Sequence, residues 1–333
     1  DLNGVGLEVI IKTFMDKRVL EDFTPVIYAS SKVLAYHRKA LDIKNFNYET
    51  INDATEAKMN KVNLINCWDE EVKMNLGKRT EEGGKYAIKS LESATNDIAS
   101  NKLDLLVTAP LDKYSVEAAG FNYPGQTEYL TQYANLEDSL MMMVYERLRV
   151  GLVTSHIPLN KVTREITTEK ILSRARIMEK SLRMDFGLEK PKIAILNIDP
   201  HCGDKGMIGN MDKEKVTPAV EQLQAENLMV LGPYSSDGFF GSGNYRNFDG
   251  VLSMYHDQGL TPFKTISFDA GVNYTAGLPI VRTSPDHGTG FDIAGKNVAS
   301  ERSFRNAVFI AKDILLKRNE YKELTSNPLT NQE

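Results

Sequence analysis

Cysteine is scarce: Cys67 and Cys202 are the two among 333 residues. Two thiols make no disulfide framework, and a reducing cytoplasm fits that usage. Cys202 is expected to be a small buried side chain rather than a ligand or redox thiol. Long apolar runs are missing too, none approaching the ~20 residues of a membrane span. There is no basic tail or Lys/Arg stripe; 40 basic and 45 acidic residues are interspersed, for a formal net charge of −5. That balance argues against nucleic acid as a partner. The opening Asp1-Leu-Asn-Gly-Val-Gly6 has neither the basic nor the apolar region of a secretory signal. Repeats, low-complexity tracts and Pro-rich linkers are absent, so composition marks no domain boundary. The length predicts two domains.

What is present is an alternation of strand-like and helix-like segments. Val26 to Tyr28, Val62 to Ile65, Leu103 to Val107, Leu140 to Val144, Val150 to Thr154, Ile193 to Leu196, Met229 to Leu231 and Val251 to Met254 read as short buried strands. Thr80 to Ala99, Thr168 to Phe186 and Val298 to Leu316 read as helices, the second with Ile171, Leu172, Ala175, Met178 and Leu182 on one stripe. Alternation of this kind predicts an α/β fold with a mainly parallel sheet. The polar Tyr145-Glu-Arg-Leu-Arg149 predicts two strands closely joined. Asp1 to Glu8 reads as a Gly-rich turn feeding a helix. Such a turn normally follows a strand, so the natural chain is expected to begin before Asp1. The polar stretch Leu324 to Glu333 is expected to fray.

Histidine is also rare, five in all, yet three follow apolar, strand-like runs: His156, His201 and His256. Ligands bind at the carboxyl ends of strands in open α/β sheets. A lone histidine there is often only a hydrogen-bonded rim residue; three together predict one divalent cation with positions open for substrate. A second cluster holds Lys264, Asn273 and Arg282, beside Tyr255-His-Asp-Gln-Gly259 and Asp286-His-Gly-Thr-Gly290. Lys264 and Arg282 can bind an anion, Arg bidentately, and Asn273 a hydroxyl or carboxylate. Val107-Thr-Ala-Pro-Leu-Asp-Lys113 and Gly125-Gln-Thr-Glu128 form a third, with Lys113 near a helix start and Thr127 offering a hydroxyl to a phosphate or simply capping a helix.

Three of these motifs closely resemble the 4-hydroxythreonine-4-phosphate dehydrogenase family of pyridoxal phosphate biosynthesis. They are Tyr255-His-Asp-Gln-Gly-Leu260, Val272-Asn-Tyr-Thr-Ala-Gly-Leu-Pro279 with Arg282-Thr-Ser, and Asp286-His-Gly-Thr-Gly-Phe-Asp-Ile-Ala-Gly295. Val107-Thr-Ala-Pro, Gly125-Gln-Thr-Glu, Thr154-Ser-His-Ile-Pro158 and the Pro200-His-Cys-Gly loop follow in the family's order, so the resemblance runs from Asp1 to about Asn306. It implies an isocitrate/isopropylmalate-dehydrogenase-like two-domain fold with a cleft between domains. The first domain would be 1–135 plus 265–333 with a nucleotide loop; the second, 136–264, would carry metal ligands and dimer contacts.

Residue by residue, the resemblance makes His156, His201 and His256 the metal ligands, and Gln126, Thr127, Lys264, Asn273 and Arg282 the substrate contacts. His287, Gly288, Thr289, Asp292 and Gly295 fall in a loop similar to the adenosine loop of the β-decarboxylating dehydrogenases. The implied reaction is NAD-dependent oxidation and decarboxylation of 4-phosphooxy-L-threonine to 3-amino-2-oxopropyl phosphate. Asp257 or Lys113 would accept the hydroxyl proton, with Asp257 as a partner orienting a histidine the equal alternative. Zinc, cobalt, magnesium, manganese and nickel all suit such a site, and NAD is preferred to NADP on the family alone. A cytoplasmic homodimer with ligands from both chains is implied as well. Two departures stand out: Gln126 where the family usually has histidine, and Ile198-Asp199 inserted before Pro200-His201. Two other readings stay open, a paralogous dehydrogenase of erythronate or threonate 4-phosphate and a non-catalytic metabolite-binding protein.

Overall fold

The computed structural model describes residues 1–326 and divides them into two compact units. Unit 1 is Asp1–Leu130 with Ile280–Ala311; unit 2 is Thr131–Pro279 with the chain from Lys312 onward. Both are α/β, as the alternation of elements predicts.

In unit 1, strands β1 (Val26–Ala29), β2 (Glu49–Ile51) and β3 (Asn63–Asn66) form a parallel sheet in the order β1-β3-β2. A parallel pair joins β4 (Leu106–Val107) to a strand far along the chain, Arg282–Pro285, with Arg282 opposite Leu106. Leu34, Leu64, Val9 and Ile11 are fully buried in the core beside this sheet. Each such side chain contributes roughly 1.5–3 kcal/mol of burial. The helix Glu81–Ala99 starts where Thr80 Oγ1 accepts the Gly83 amide at 2.9 Å. Its Gly84 lies so close to the helix Lys113–Ala118 that an added Cβ would stand 2.0 Å from the Ser115 carbonyl oxygen.

In unit 2, β5 (Leu140–Tyr145) and β6 (Leu148–Leu152) form an antiparallel hairpin about Glu146-Arg147. This is the close joint the polar pentapeptide predicts, but the turn takes two residues and the strands extend into Tyr145, Leu148 and Arg149. β7 (Ile193–Leu196), β8 (Val230–Tyr234) and β9 (Gly250–Ser253) add parallel strands in the order β6-β9-β7-β8. β10 (Val272–Ala276) pairs antiparallel with β5 on the other side. Val150, Ala194, Leu196 and Phe263 fill the core. From Lys312 the last helix, Arg302–Thr325, belongs to this unit, and Arg318 ties that part into it. Its guanidinium donates to Asp185 Oδ1 at 2.7 Å, to the Tyr274 hydroxyl at 3.0 Å and to the Leu278 and Pro279 carbonyls.

Three sequence expectations shift. Leu103 to Leu105 precede the short β4 rather than belonging to it. The last helix begins at Arg302, not Val298, because Asn297 takes a left-handed backbone and residues 298–301 are not helical. Leu324 and Thr325 still belong to that helix; residues 327–333 of the expected frayed end lie outside the described residues.

Candidate functional site

β6, β9 and β7 are adjacent and parallel, so their carboxyl ends lie side by side in unit 2. His156 follows the first, His256 the second and His201 the third. The structure brings the first two together: their imidazole centroids are 5.6 Å apart. His256 opens the helix His256–Ser267, and its Nδ1 is 2.6 Å from Asp257 Oδ1. That contact leaves Nε2 as the outward nitrogen. His201 lies in the loop after β7, close enough to contribute to the field at Asp237, whose carboxyl is held low mainly by the Ser235 hydroxyl. Among the described residues, no three His, Cys, Asp or Glu side chains gather within the chain as a group that could hold a metal ion. Two neighbouring imidazoles, one oriented by a carboxylate, with a third on the next strand end, are nevertheless a donor set chemically suited to a divalent cation.

The loop carrying His201 is built with care. His201, Cys202, Gly203, Asp204 and Lys205 all take left-handed backbone angles, φ between 42° and 77°. Non-glycine residues there cost about 1 kcal/mol each or more, so the surroundings must impose the shape. Asp212 does part of this, accepting the Ile198 and Asp199 amides at 2.8 Å each. Ile198 and Asp199, which lead into the loop, are thus tied down rather than bulging. Burial raises the Asp212 pKa, against those two backbone bonds. Asp199 Oδ2 in turn accepts the Met211 amide at 2.9 Å. Gln258 bridges strand ends, taking the Met254 amide at 2.7 Å and giving to the Asn197 carbonyl at 2.7 Å. Cys202 is half-buried rather than buried as expected; its thiol meets the Pro233 carbonyl at 3.5 Å, and burial pushes its pKa up.

Lys264 lies on the exposed face of the helix that His256 opens. Asn273 is on β10 opposite Met143, and its Oδ1 is buried with no hydrogen-bond partner. An orphaned buried amide oxygen calls for a donor that a ligand can supply.

Unit 1 gathers a second set. Arg282 is 3% exposed at the start of its strand. It donates to Thr108 Oγ1 at 2.7 Å, to Gln126 Oε1 at 2.5 Å and to Thr127 Oγ1 at 3.4 Å. Burial pushes the guanidinium pKa down to about 10, opposed by Glu128. A buried guanidinium whose planar fork is held in place can bind an arriving anion bidentately. Gln126 is itself oriented, its Nε2 giving to the Ala109 carbonyl at 3.0 Å. Lys113 opens its short helix as the sequence suggests, and burial lowers its pKa, again opposed by Glu128. Thr127 sits inside the helix Gln126–Tyr133 rather than capping it. Thr108 and Glu128 were not singled out as site residues; only their places next to the β4 end and to Thr127 hinted at them.

The loop after Pro285 completes unit 1. His287 Nε2 is buried without a partner, and a Cβ on Gly288 would meet nothing within 4 Å. Asp292 is exposed, while Gly290 and Gly295 have positive φ of 54° and 78°. Open space at Gly288 beside an unpaired buried nitrogen suits close approach of a cofactor to the backbone.

Comparison with known proteins gives this geometry its family. A 4-hydroxythreonine-4-phosphate dehydrogenase of Bacteroides thetaiotaomicron is 47% identical over 333 residues, 100% of this chain and 91% of that protein. A putative D-threonate 4-phosphate dehydrogenase of Oceanobacillus iheyensis is 35% identical over 319 residues, 94% of this chain and 95% of that protein. The crystal structure of the 4-hydroxythreonine-4-phosphate dehydrogenase of Klebsiella pneumoniae superposes with a TM-score of 0.80 at 29% identity, covering 95% of this chain and 96% of that one. The family model described as pyridoxal phosphate biosynthetic protein PdxA matches residues 21–311, and the chain belongs to that family.

Proposed function

We propose that this protein is an NAD-dependent 4-hydroxythreonine-4-phosphate dehydrogenase. It would oxidise 4-phosphooxy-L-threonine at C3 and release carbon dioxide to give 3-amino-2-oxopropyl phosphate. The observation that carries the reading is the 47% identity to the Bacteroides thetaiotaomicron enzyme over the whole of this chain. In the proposal, His156, His201 and His256 hold one divalent ion: zinc, cobalt, magnesium, manganese or nickel. When bound, that ion supplies Lewis-acid polarisation of the substrate oxygen. NAD, seated by His287, Gly288, Thr289, Asp292 and Gly295, supplies the hydride acceptor.

The remaining roles belong to side chains. Arg282 binds the substrate anion, and Thr108, Gln126 and Thr127 hold its fork in position. Lys264 adds a second cation, and the unpaired Asn273 Oδ1 accepts from a substrate hydroxyl or ammonium. Asp257 orients His256, the role its 2.6 Å contact with Nδ1 supports over direct proton abstraction. Lys113 Nζ takes the proton of the C3 hydroxyl; its lowered pKa moves it toward the range of a working base at neutral pH. The same reading carries two domains, a homodimer and a cytoplasmic location.

A second reading is supported by the Oceanobacillus iheyensis relative: a dehydrogenase of a four-carbon sugar-acid phosphate. Absorbance of NADH with 4-phosphooxy-L-threonine, D-threonate 4-phosphate and D-erythronate 4-phosphate as parallel substrates decides between them. The highest kcat/KM is expected with the amino acid phosphate. A higher value with either sugar-acid phosphate would sink the first reading in favour of the second.

A further inference from the structure

The Gly-rich turn at the start of the chain and the helix Gly6–Met15 that follows have no part in the chemistry above. Their contacts converge on the loop assigned to the nucleotide. The Val5 amide donates to the Thr289 carbonyl at 2.8 Å. A Cβ on Gly4 would stand 2.7 Å from that same oxygen, so the approach admits glycine alone. One turn later, Glu8 Oε1 accepts the Ala299 amide at 2.9 Å and the Lys12 ammonium at 2.7 Å. Lys12 Nζ also donates to the Ala299 carbonyl at 2.8 Å. Both polar groups of the Ala299 backbone are thus held by one ion pair, placed at i and i+4 on a single helix face.

Glu8 is 1% exposed. Burying a carboxylate is expensive unless its oxygens are satisfied, and here one of them serves the backbone of Ala299, itself buried. A pair placed here fixes two backbone atoms in register. Between Thr289 and Ala299 the loop is packed at Phe291, whose carbonyl lies 2.7 Å from where a Gly77 Cβ would be, and at Gly295, packed on Leu76. Gly288 and His287, the groups with open space and an unpaired nitrogen, lie just before the first clamp point.

We infer that Glu8 and Lys12 are positioning residues for the nucleotide: their ion pair at Ala299, with the Val5 amide at Thr289, locks the segment between them in the shape that receives NAD. This rests on the reading of that segment as the cofactor loop. It predicts that loosening the pair weakens NAD binding and leaves divalent metal binding intact.

The test uses the full chain and the variants Glu8→Gln and Lys12→Met. Glu8→Gln keeps an acceptor for the Ala299 amide and removes the charge; Lys12→Met keeps the length and removes the donor. Three quantities are read: NAD affinity by calorimetry, Co²⁺ content after dialysis, and hydrogen exchange at the Ala299 amide. The expected result is faster exchange at Ala299, an NAD Kd raised at least about tenfold and unchanged cobalt content, in at least one folded variant. Faster exchange with an NAD Kd within about twofold of the unaltered protein overturns the positioning role but leaves the functional reading standing. Equal loss of NAD and cobalt also overturns it, as a general folding defect. Failure of the unaltered protein to bind NAD removes both the inference and the cofactor-loop reading.

Discussion

At the scale of single residues, each unit buries a polar atom that is unfinished without a ligand. Asn273 Oδ1 and His287 Nε2 are buried and unpaired, and Arg282 is a buried cation that donates to Thr108 and Gln126. Arg282→Lys replaces a planar fork with a point charge that cannot reach Thr108 and Gln126 together. We expect kcat/KM to fall at least about tenfold, roughly 1.4 kcal/mol of transition-state binding. An unchanged kcat/KM would place Arg282 outside the site. Gly288→Val puts its side chain into open space, so the protein should fold normally while NAD binding weakens far more than metal binding. Calorimetry with NAD and with the metal separates the two; intact NAD affinity would put the adenosine elsewhere. Alanine at His156, His201 or His256 should abolish turnover and lower metal content after dialysis. Full metal content with a near-normal rate in His201→Ala would contradict the ligand assignment.

At the scale of elements, the strand-end histidines were legible because β6, β7 and β9 are apolar runs that stop abruptly before polar residues. β2, β10 and Arg282–Pro285 were not legible as strands. Val272-Asn-Tyr-Thr-Ala and Arg282-Thr-Ser-Pro carry their functional groups inside the strand, which breaks the apolar signal; pairing with β5 and β4 supplies what local propensity lacks. The left-handed run at 201–205 was equally hidden, since the carboxylate that holds the residues leading into it, Asp212, lies on the next element rather than in the loop. Glycine choices test the element scale directly. Alanine normally favours a helix interior over glycine by about 1 kcal/mol. At Gly84 the added methyl would collide with the Ser115 carbonyl, and overpacking of that kind costs roughly 1–3 kcal/mol. Gly84→Ala should therefore lower Tm, measured by calorimetry, despite its better propensity. A Tm equal to or above the parent's would show that the two helices can separate without cost.

At the scale of the whole molecule, family, fold class and reaction class followed from motifs in order along the chain, while their spatial grouping required the sheet. Anything that binds the folded protein alone raises its stability by mass action, by about 2.7 kcal/mol at a hundredfold excess over Kd. Dialysis against a chelator is therefore expected to abolish turnover and lower Tm while leaving the helical and strand content seen by circular dichroism in place, because the apolar core around Val150, Leu196 and Phe263 does not involve the histidines. Loss of that content on chelation would mean that the ion is a folding element. The order β6-β9-β7 has a further consequence for how the chain is made. The middle strand is the last of the three to leave the ribosome, so β6 and β7 cannot meet each other directly and must wait, edges unpaired, until residues 250–253 arrive between them. Unit 2 must therefore complete its sheet late, by insertion, and the interval before that insertion is when its bare strand edges are most open to pairing with the wrong chain.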